Sequence, residues 1–202
     1  NAGYVESLIM QRHFSVLEHA SATFRFQNIS RSQTHELVRH RHFSYSQLSQ
    51  RYVDSGEELV ISVHPEVQAL VAAEYQDGGE GNVNHFIDER LDDLDAAVSA
   101  FYKEVDTALE MKRKNIKQRR GAARGALMNM TATNIVVTGN LRAWRHFILM
   151  RSHVSAELEI RLTAWKVYVL LSAHFPAAFM DFVQVPVLNE PAMLTTDYRE
   201  AE

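Results

Sequence analysis

Residues 39–51 read RHRHFSYSQLSQR. Four guanidinium and imidazole side chains stand in a row, followed by two aromatic rings, three serines, two glutamines and a further arginine. Arg39, Arg41 and Arg51 bring planar, permanently charged forks that match phosphate and carboxylate oxygens in bidentate geometry. Ser44, Ser46 and Ser49 add hydroxyls, and the Gln47 and Gln50 amides can read a base edge that both donates and accepts. This is the composition of a nucleotide cradle, with phosphate at one end and polar readout at the other. The same residues would also serve as a basic helix end followed by a polar loop. Sixteen of the 21 basic residues are arginine, which favours recognition over mere solubility.

A second cluster, NLRAWRH, occupies residues 140–146. Asn140 is a good helix N-cap. Arg142 and His146 are four apart and share a helix face. A helix N-terminus with an arginine one turn in is a ready anion site; a capped helix with ordinary surface charges is the competing reading. Arg151, five residues past His146, points off that face and suits a different ligand beside the first. His13, His19, His35, His40 and His42 raise a metal question, but they form neither an HExxH helix nor a Cys/His finger. They read as core or ligand-stacking imidazoles, with no metal expected. No GxSxG surrounds Ser49, so a binding hydroxyl is preferred to a nucleophile. Neither GxGxxG nor GxxxxGK[ST] is present, so a dinucleotide would be held without a Rossmann turn or a P-loop.

Composition narrows the classes further. Hydrophobic content of 46% and charged content of 23% are those of a chain with a real core. A net charge of -4 argues against a general DNA or RNA coat. Zero cysteines exclude a disulfide frame, a thiolate metal site and a cysteine nucleophile, and point to a reducing, cytoplasmic setting. No run of about 18 apolar residues is available to span a bilayer.

The elements that must position these residues can be read coarsely. GYVESLIM (3–10) has helical periodicity and HFSVLEHA continues it after a break; SATFRF (21–26) alternates as a strand. Asn28-Ile29-Ser30 ends the strand, and Ser30 or Ser32 caps a helix running to about His42. Residues 48–53 are irregular and EELVISV (57–63) is a second strand. Gly78-Gly79-Glu80-Gly81 is a loop. Val83, Ile87, Leu91, Leu94, Val98, Phe101, Val105 and Leu109 make the stripe of a long amphipathic helix, ended by the solvated block KRKNIKQRR (112–120). NIVVT (134–138) is a strand turned by Gly139-Asn140. Helices follow over 141–152 and 156–175, the latter apolar on most sides and buried. Pro176, Pro186 and Pro191 break up the remainder. Regular βαβ alternation is absent, so the class is α+β with a mixed or antiparallel sheet and long helices. No repeat or linker appears, and 1–202 reads as a single domain.

Arg39-His40-Arg41, seven residues, then Ser49 matches the RHR-x7-S signature of flavin-dependent thymidylate synthases. HFSVLEHAS (13–21), NIVVTGN (134–140), RAWRHF (142–147) and the segment from Arg151 to AELEIR (156–161) resemble that family in the same order. The resemblance covers most of the chain from residue 3 to about 183. It implies an α+β fold, a homotetramer and FAD sites shared between subunits. It implies methylation of dUMP to dTMP, with methylenetetrahydrofolate giving the carbon and NADPH reducing the flavin, and with neither nucleic acid nor membrane as a partner. Carried over by position, Arg39, His40 and Arg41 would touch FAD, with Arg39 also near dUMP, and Ser15 would hold the flavin's phosphate region. Asn140, Arg142 and His146 would complete the FAD site. Glu36, Gln47, Leu48, Ser49, Gln50 and Arg51 would line the dUMP site, joined by Arg124. Arg151 would act catalytically, favouring ionisation at N3 of the uracil ring.

Two departures accompany the resemblance. Relatives usually carry a further N-terminal segment with a strand of the central sheet, whereas this chain opens at NAGYV; a longer natural product is expected. Glu36 and Glu157 stand where many relatives have Gln. A carboxylate at Glu36 would repel a phosphate but accept from a ring N–H. The alternative expectation is a family member that keeps the fold and binds nucleotide or FAD but turns over weakly for want of that segment. An RNA- or nucleotide-binding module and a metal hydrolase are the readings from other classes.

Overall fold

The alternating segment that begins at Ser21 forms β1 (Ser21–Ser30), which runs past residue 26 to the end of the predicted stop. Asn28 does not end it. Its backbone takes a left-handed φ of 54°, and its N–H is satisfied by Oδ1 of Asn134 at 3.0 Å, so the strand bends and continues. The computed structural model describes residues 2–54, 59–75 and 83–198, with the backbone alone over 71–75 and 83–88. The predicted loop at 78–81 lies outside the described residues. β1, β3 (Ala132–Asn140) and β2 (Ser44–Gln47) form one sheet in the order β1-β3-β2. Helices and small sheets make the chain α+β, as the missing βαβ alternation predicts.

The chain divides into two compact units. The first takes in residues up to Phe24, Glu36–Tyr45 and those from Val136 on; the second takes in Arg25–His35 and Ser46–Ile135.

In the first unit, α1 (Ala2–Met10) and a 3₁₀ turn (Phe14–His19) follow the predicted periodicity. Gly139 is part of β3 rather than a turn. A side-chain carbon there would come within 2.3 Å of the Phe43 ring, so glycine is what lets that ring lie on the strand. The Phe43 ring packs against Trp144 at a tilt of 35°, with centroids 4.2 Å apart. Trp144, Phe147 and Ile148 of α6 (Leu141–Arg151) are fully buried, with Ile160, Ala164 and Val167 of α7 (Leu158–His174). Burial of α7 is one-sided, however: Val169 and Leu170 stay about half exposed. After α8 (Pro176–Phe179), β4 (Val183–Val187) and β5 (Glu190–Thr195) form an antiparallel hairpin that the prolines concealed. Pro186 sits where the register shifts between Val185 and Val187, a place where a missing N–H is tolerated. Arg145 binds both oxygens of Asp181 at 2.7 Å, and both side chains are almost wholly buried. Burial alone would raise the Asp181 carboxyl; the hydrogen bonds and charge of Arg145 outweigh it and hold the group low.

In the second unit, Ser30 caps the helix that follows it, its Oγ accepting from Gln33 N at 2.9 Å. The predicted strand at 57–63 shrinks to one antiparallel bridge, Ile61 with Thr131; residues 57 and 58 lie outside the described set. Pro65 starts α3 (Pro65–Tyr75) at once and leaves no room for a longer ladder. The striped segment is α4 (Val83–Met111). Residues 112–118 of the basic block after it are exposed, as expected, and only Arg119 and Arg120 are drawn in. Asn115 opens α5 (Ile116–Ala123) with a reciprocal capping box to Gln118. Within α5, Arg119 binds Asp106 at 2.7 Å and Arg120 binds Asp54 at 2.8 Å.

Candidate functional site

The helix that begins at Arg31, α2 (Arg31–Leu37), stops before the Arg39-His40-Arg41 triplet instead of carrying it to residue 42. The chain unwinds through tight turns, Arg39 N to Glu36 O and His40 N to Leu37 O. The Tyr45 hydroxyl lies 2.7 Å from the carbonyl oxygens of both Leu37 and His40, covering acceptors that a helix end leaves open. Burial raises the Tyr45 hydroxyl to about 12, so it remains a donor. The result separates the triplet by environment. His40 turns inward and is buried, its ring 5.0 Å from Phe147 in an edge-on contact, while Arg39 and Arg41 stay exposed. Among the described residues, no carboxylate pairs with either guanidinium.

Asn140 caps α6 as expected: its Oδ1 accepts from Ala143 N at 2.8 Å. That leaves its amide nitrogen as the group able to meet a ligand. Arg142 pairs with Glu18 of the 3₁₀ turn that also carries the exposed Ser15. His146 is exposed, and its ring centroid lies 6.5 Å from that of His40. Arg151, five residues on, was expected to point elsewhere. Its long side chain instead returns to the same place: Nε donates to His40 Nε2 at 2.8 Å and Nη1 to Glu36 Oε2 at 2.7 Å. The spacing of two α-carbons on a helix therefore did not predict where the guanidinium ends.

The charges in this cluster are strongly conditioned. Burial, then Arg151, His146 and His42, push His40 down to about 4, so its ring is neutral and accepts. Burial, then a side-chain hydrogen bond from Glu157, raise the Glu36 carboxyl, with Arg151 pulling the other way.

The remaining candidates belong to the second unit. Gln47 Nε2 donates to Thr34 Oγ1 at 3.2 Å. Leu48 N extends the β2 ladder to Asn134 O at 2.9 Å and leaves its side chain exposed. A turn follows, with Tyr52 N and Val53 N both on Ser49 O at 3.1 Å. Gln50 is buried, and its Nε2 has no partner among the described residues. Arg51 is exposed beside α5, its Nε 3.9 Å from where a side chain at Gly121 would begin. Arg124 is exposed in the 3₁₀ turn after α5.

One residue went unread in the sequence. Arg31 is only partly exposed, and one of its terminal nitrogens is buried without a partner among the described residues. Burial, then the like charge of Arg124, lower its pKa. Arg31 thus feels the like charge of Arg124 while one of its buried donors is unused among the described residues. The cue available in the sequence was a helix cap at Ser30 next to it. Among the described residues, no group of three or more His, Asp or Glu side chains is placed to hold a metal, and no helix is long and apolar enough to cross a membrane.

These features align with a known family. Residues 1–177 match the family model described as thymidylate synthase complementing protein, and the chain belongs to that family. Among its relatives, the flavin-dependent thymidylate synthase of Mycobacterium tuberculosis (strain H37Rv) is 47% identical over 189 residues, covering 90% of this chain and 70% of the relative. The enzyme of the same name from Mycobacterium avium is 46% identical over 187 residues with the same coverage. That of Mycobacterium sp. (strain JLS) is 44% identical over 207 residues, covering 97% of this chain and 76% of the relative.

Proposed function

We propose that this chain is an FAD-dependent thymidylate synthase that methylates dUMP to dTMP, with methylenetetrahydrofolate as carbon donor and NADPH as reductant. The activity for which its relatives are named supports the reaction. The observation that carries the reading is the meeting of Arg151 with His40, the centre of the RHR triplet, at 2.8 Å. A fixed guanidinium is what an enzyme without a cysteine nucleophile needs, because it stabilises negative charge at the uracil N3 and so strengthens C5 as a carbon nucleophile.

The donor set of the first unit fits FAD. Arg39 and Arg41 present exposed forks for a diphosphate, Ser15 is an exposed hydroxyl, and the Asn140 amide and His146 ring are open polar edges. Arg142 would reach the cofactor by exchanging Glu18 for it. The neutral His40 ring keeps Arg151 oriented beside them. When bound, FAD would supply the hydride chemistry.

For dUMP, we assign the phosphate to Ser49, Arg51, Arg124 and the additional Arg31, with Gln47, Leu48 and Gln50 alongside. Glu36, Arg39 and Arg151 are assigned to the nucleotide on the family resemblance alone, Glu36 as an acceptor for a ring N–H. We place the enzyme in the cytoplasm as a homotetramer, as the family resemblance implies.

The test is a titration of FAD followed by flavin absorbance and fluorescence, with and without dUMP. A saturable change, sharpened by dUMP and weakened in His146→Ala and Arg39→Ala, supports the reading. No change at any flavin concentration overturns it.

A further inference from the structure

We propose that Tyr45 is a positioning residue for Arg151, its hydroxyl fixing the turn on which the guanidinium rests. Among the described residues, the hydrogen-bond acceptors of Arg151 all belong to the segment 36–40. Nη1 donates to Glu36 Oε2 at 2.7 Å, Nη2 reaches the Glu36 carbonyl at 3.4 Å, and Nε donates to His40 Nε2 at 2.8 Å. Where Arg151 points therefore depends on how far Glu36 and His40 stand apart and how they are turned. That segment follows the last regular turn of α2. Its own closure is loose, with Arg39 N on Glu36 O at 3.1 Å and His40 N on Leu37 O at 3.2 Å.

The Tyr45 hydroxyl adds the tighter constraint. It lies 2.7 Å from the carbonyl oxygen of Leu37, next to Glu36, and 2.7 Å from that of His40. A hydroxyl has one proton, so the two carbonyls share it, and one oxygen at that distance from both limits their separation. Neither carbonyl needs Tyr45 for a partner: Leu37 O also accepts from His40 N, and His40 O from Phe43 N at 3.1 Å. The hydroxyl thus adds geometry rather than filling an orphaned acceptor. Its ring is half-buried and edge-on to Phe43, centroids 6.2 Å apart, which fixes the oxygen from the other side. A charge-stabilising group works when its own supports are locked, and a small displacement of it is costly to turnover.

The kinetic part of the test rests on the proposed reaction; the spectroscopic part does not. Y45F removes the oxygen and keeps the ring, and both carbonyls retain a backbone N–H, so the variant should fold. In the ligand-free, 15N-labelled protein, the Arg151 Nε–H is the signal missing from R151A. It should exchange with water about tenfold faster in Y45F than in the wild type. Y45F should also lower kcat by about tenfold. In the R151A background the same change should alter kcat by less than about twofold, because the group being positioned is gone. A purely structural role would lower kcat alike in both backgrounds. Equal losses in the two backgrounds, or an Nε–H that exchanges equally fast in wild type and Y45F, overturns the proposal. If the wild-type chain makes no dTMP, the proposed function fails and the exchange measurement alone decides this inference.

Discussion

The Nε of Arg151 and the Nε2 of His40 lie 2.8 Å apart, and only the guanidinium can be the donor. His40 is therefore the acceptor, with its own proton on Nδ1, and its neutrality is a condition of the contact. The contact ties the last residue of α6 to the middle of the RHR triplet.

A pH dependence of stability follows. Folded His40 titrates at about 4, against 6.5 for the free residue, because burial and then Arg151 disfavour its charged form. Between those values the unfolded chain binds more protons. The site's contribution is complete above 6.5 and is lost as pH falls toward 4, by roughly 2 kcal/mol after allowing for solvent access. Urea denaturation at pH 7 and pH 5 should show about half of this drop, and His40→Gln should remove most of the pH dependence.

Arg151→Ala should lower kcat by about 10² to 10³-fold, the scale for removing one pre-placed charge-stabilising donor. Flavin binding should persist, since the exposed arginines of the triplet remain. Steady-state turnover and a flavin titration on the same preparation check both halves.

Arg31→Ala should weaken dUMP binding by about tenfold to a hundredfold, as expected for a lost charge-assisted hydrogen bond. Binding of deoxyuridine, which lacks the phosphate, should not change. Calorimetric titration with the two ligands separates an anion contact from a folding defect.

Gly139→Ala should destabilise the first unit by about 1 to 3 kcal/mol, because the new methyl would overlap the Phe43 ring. Thermal unfolding measures the loss. Combining it with Phe43→Leu should recover part of it, since the smaller side chain can move aside.

The sequence carried some of this better than the rest, for physical reasons. The stripe from Val83 to Leu109 declared α4 because a single helix face repeats locally. The Asn140 cap and α6 were equally local. The end of α2 was not, since it depends on the Tyr45 hydroxyl reaching back from β2. RAWRHF contains two arginines of the same type; Asp181, 36 residues from Arg145, makes that one a core residue and leaves Arg142 to Glu18. Arg31 escaped notice because its signal is burial beside Arg124, which no spacing along the chain encodes.

The most direct measurement is dTMP formation from dUMP, methylenetetrahydrofolate and NADPH with FAD present. It should be followed by chromatography of the nucleotides, for the wild-type chain and Arg151→Ala side by side. The account predicts FAD-dependent dTMP from the wild type and a loss of about 10² to 10³-fold in the variant. Flavin and dUMP binding without any dTMP from the wild type, or equal turnover by the two proteins, would contradict it.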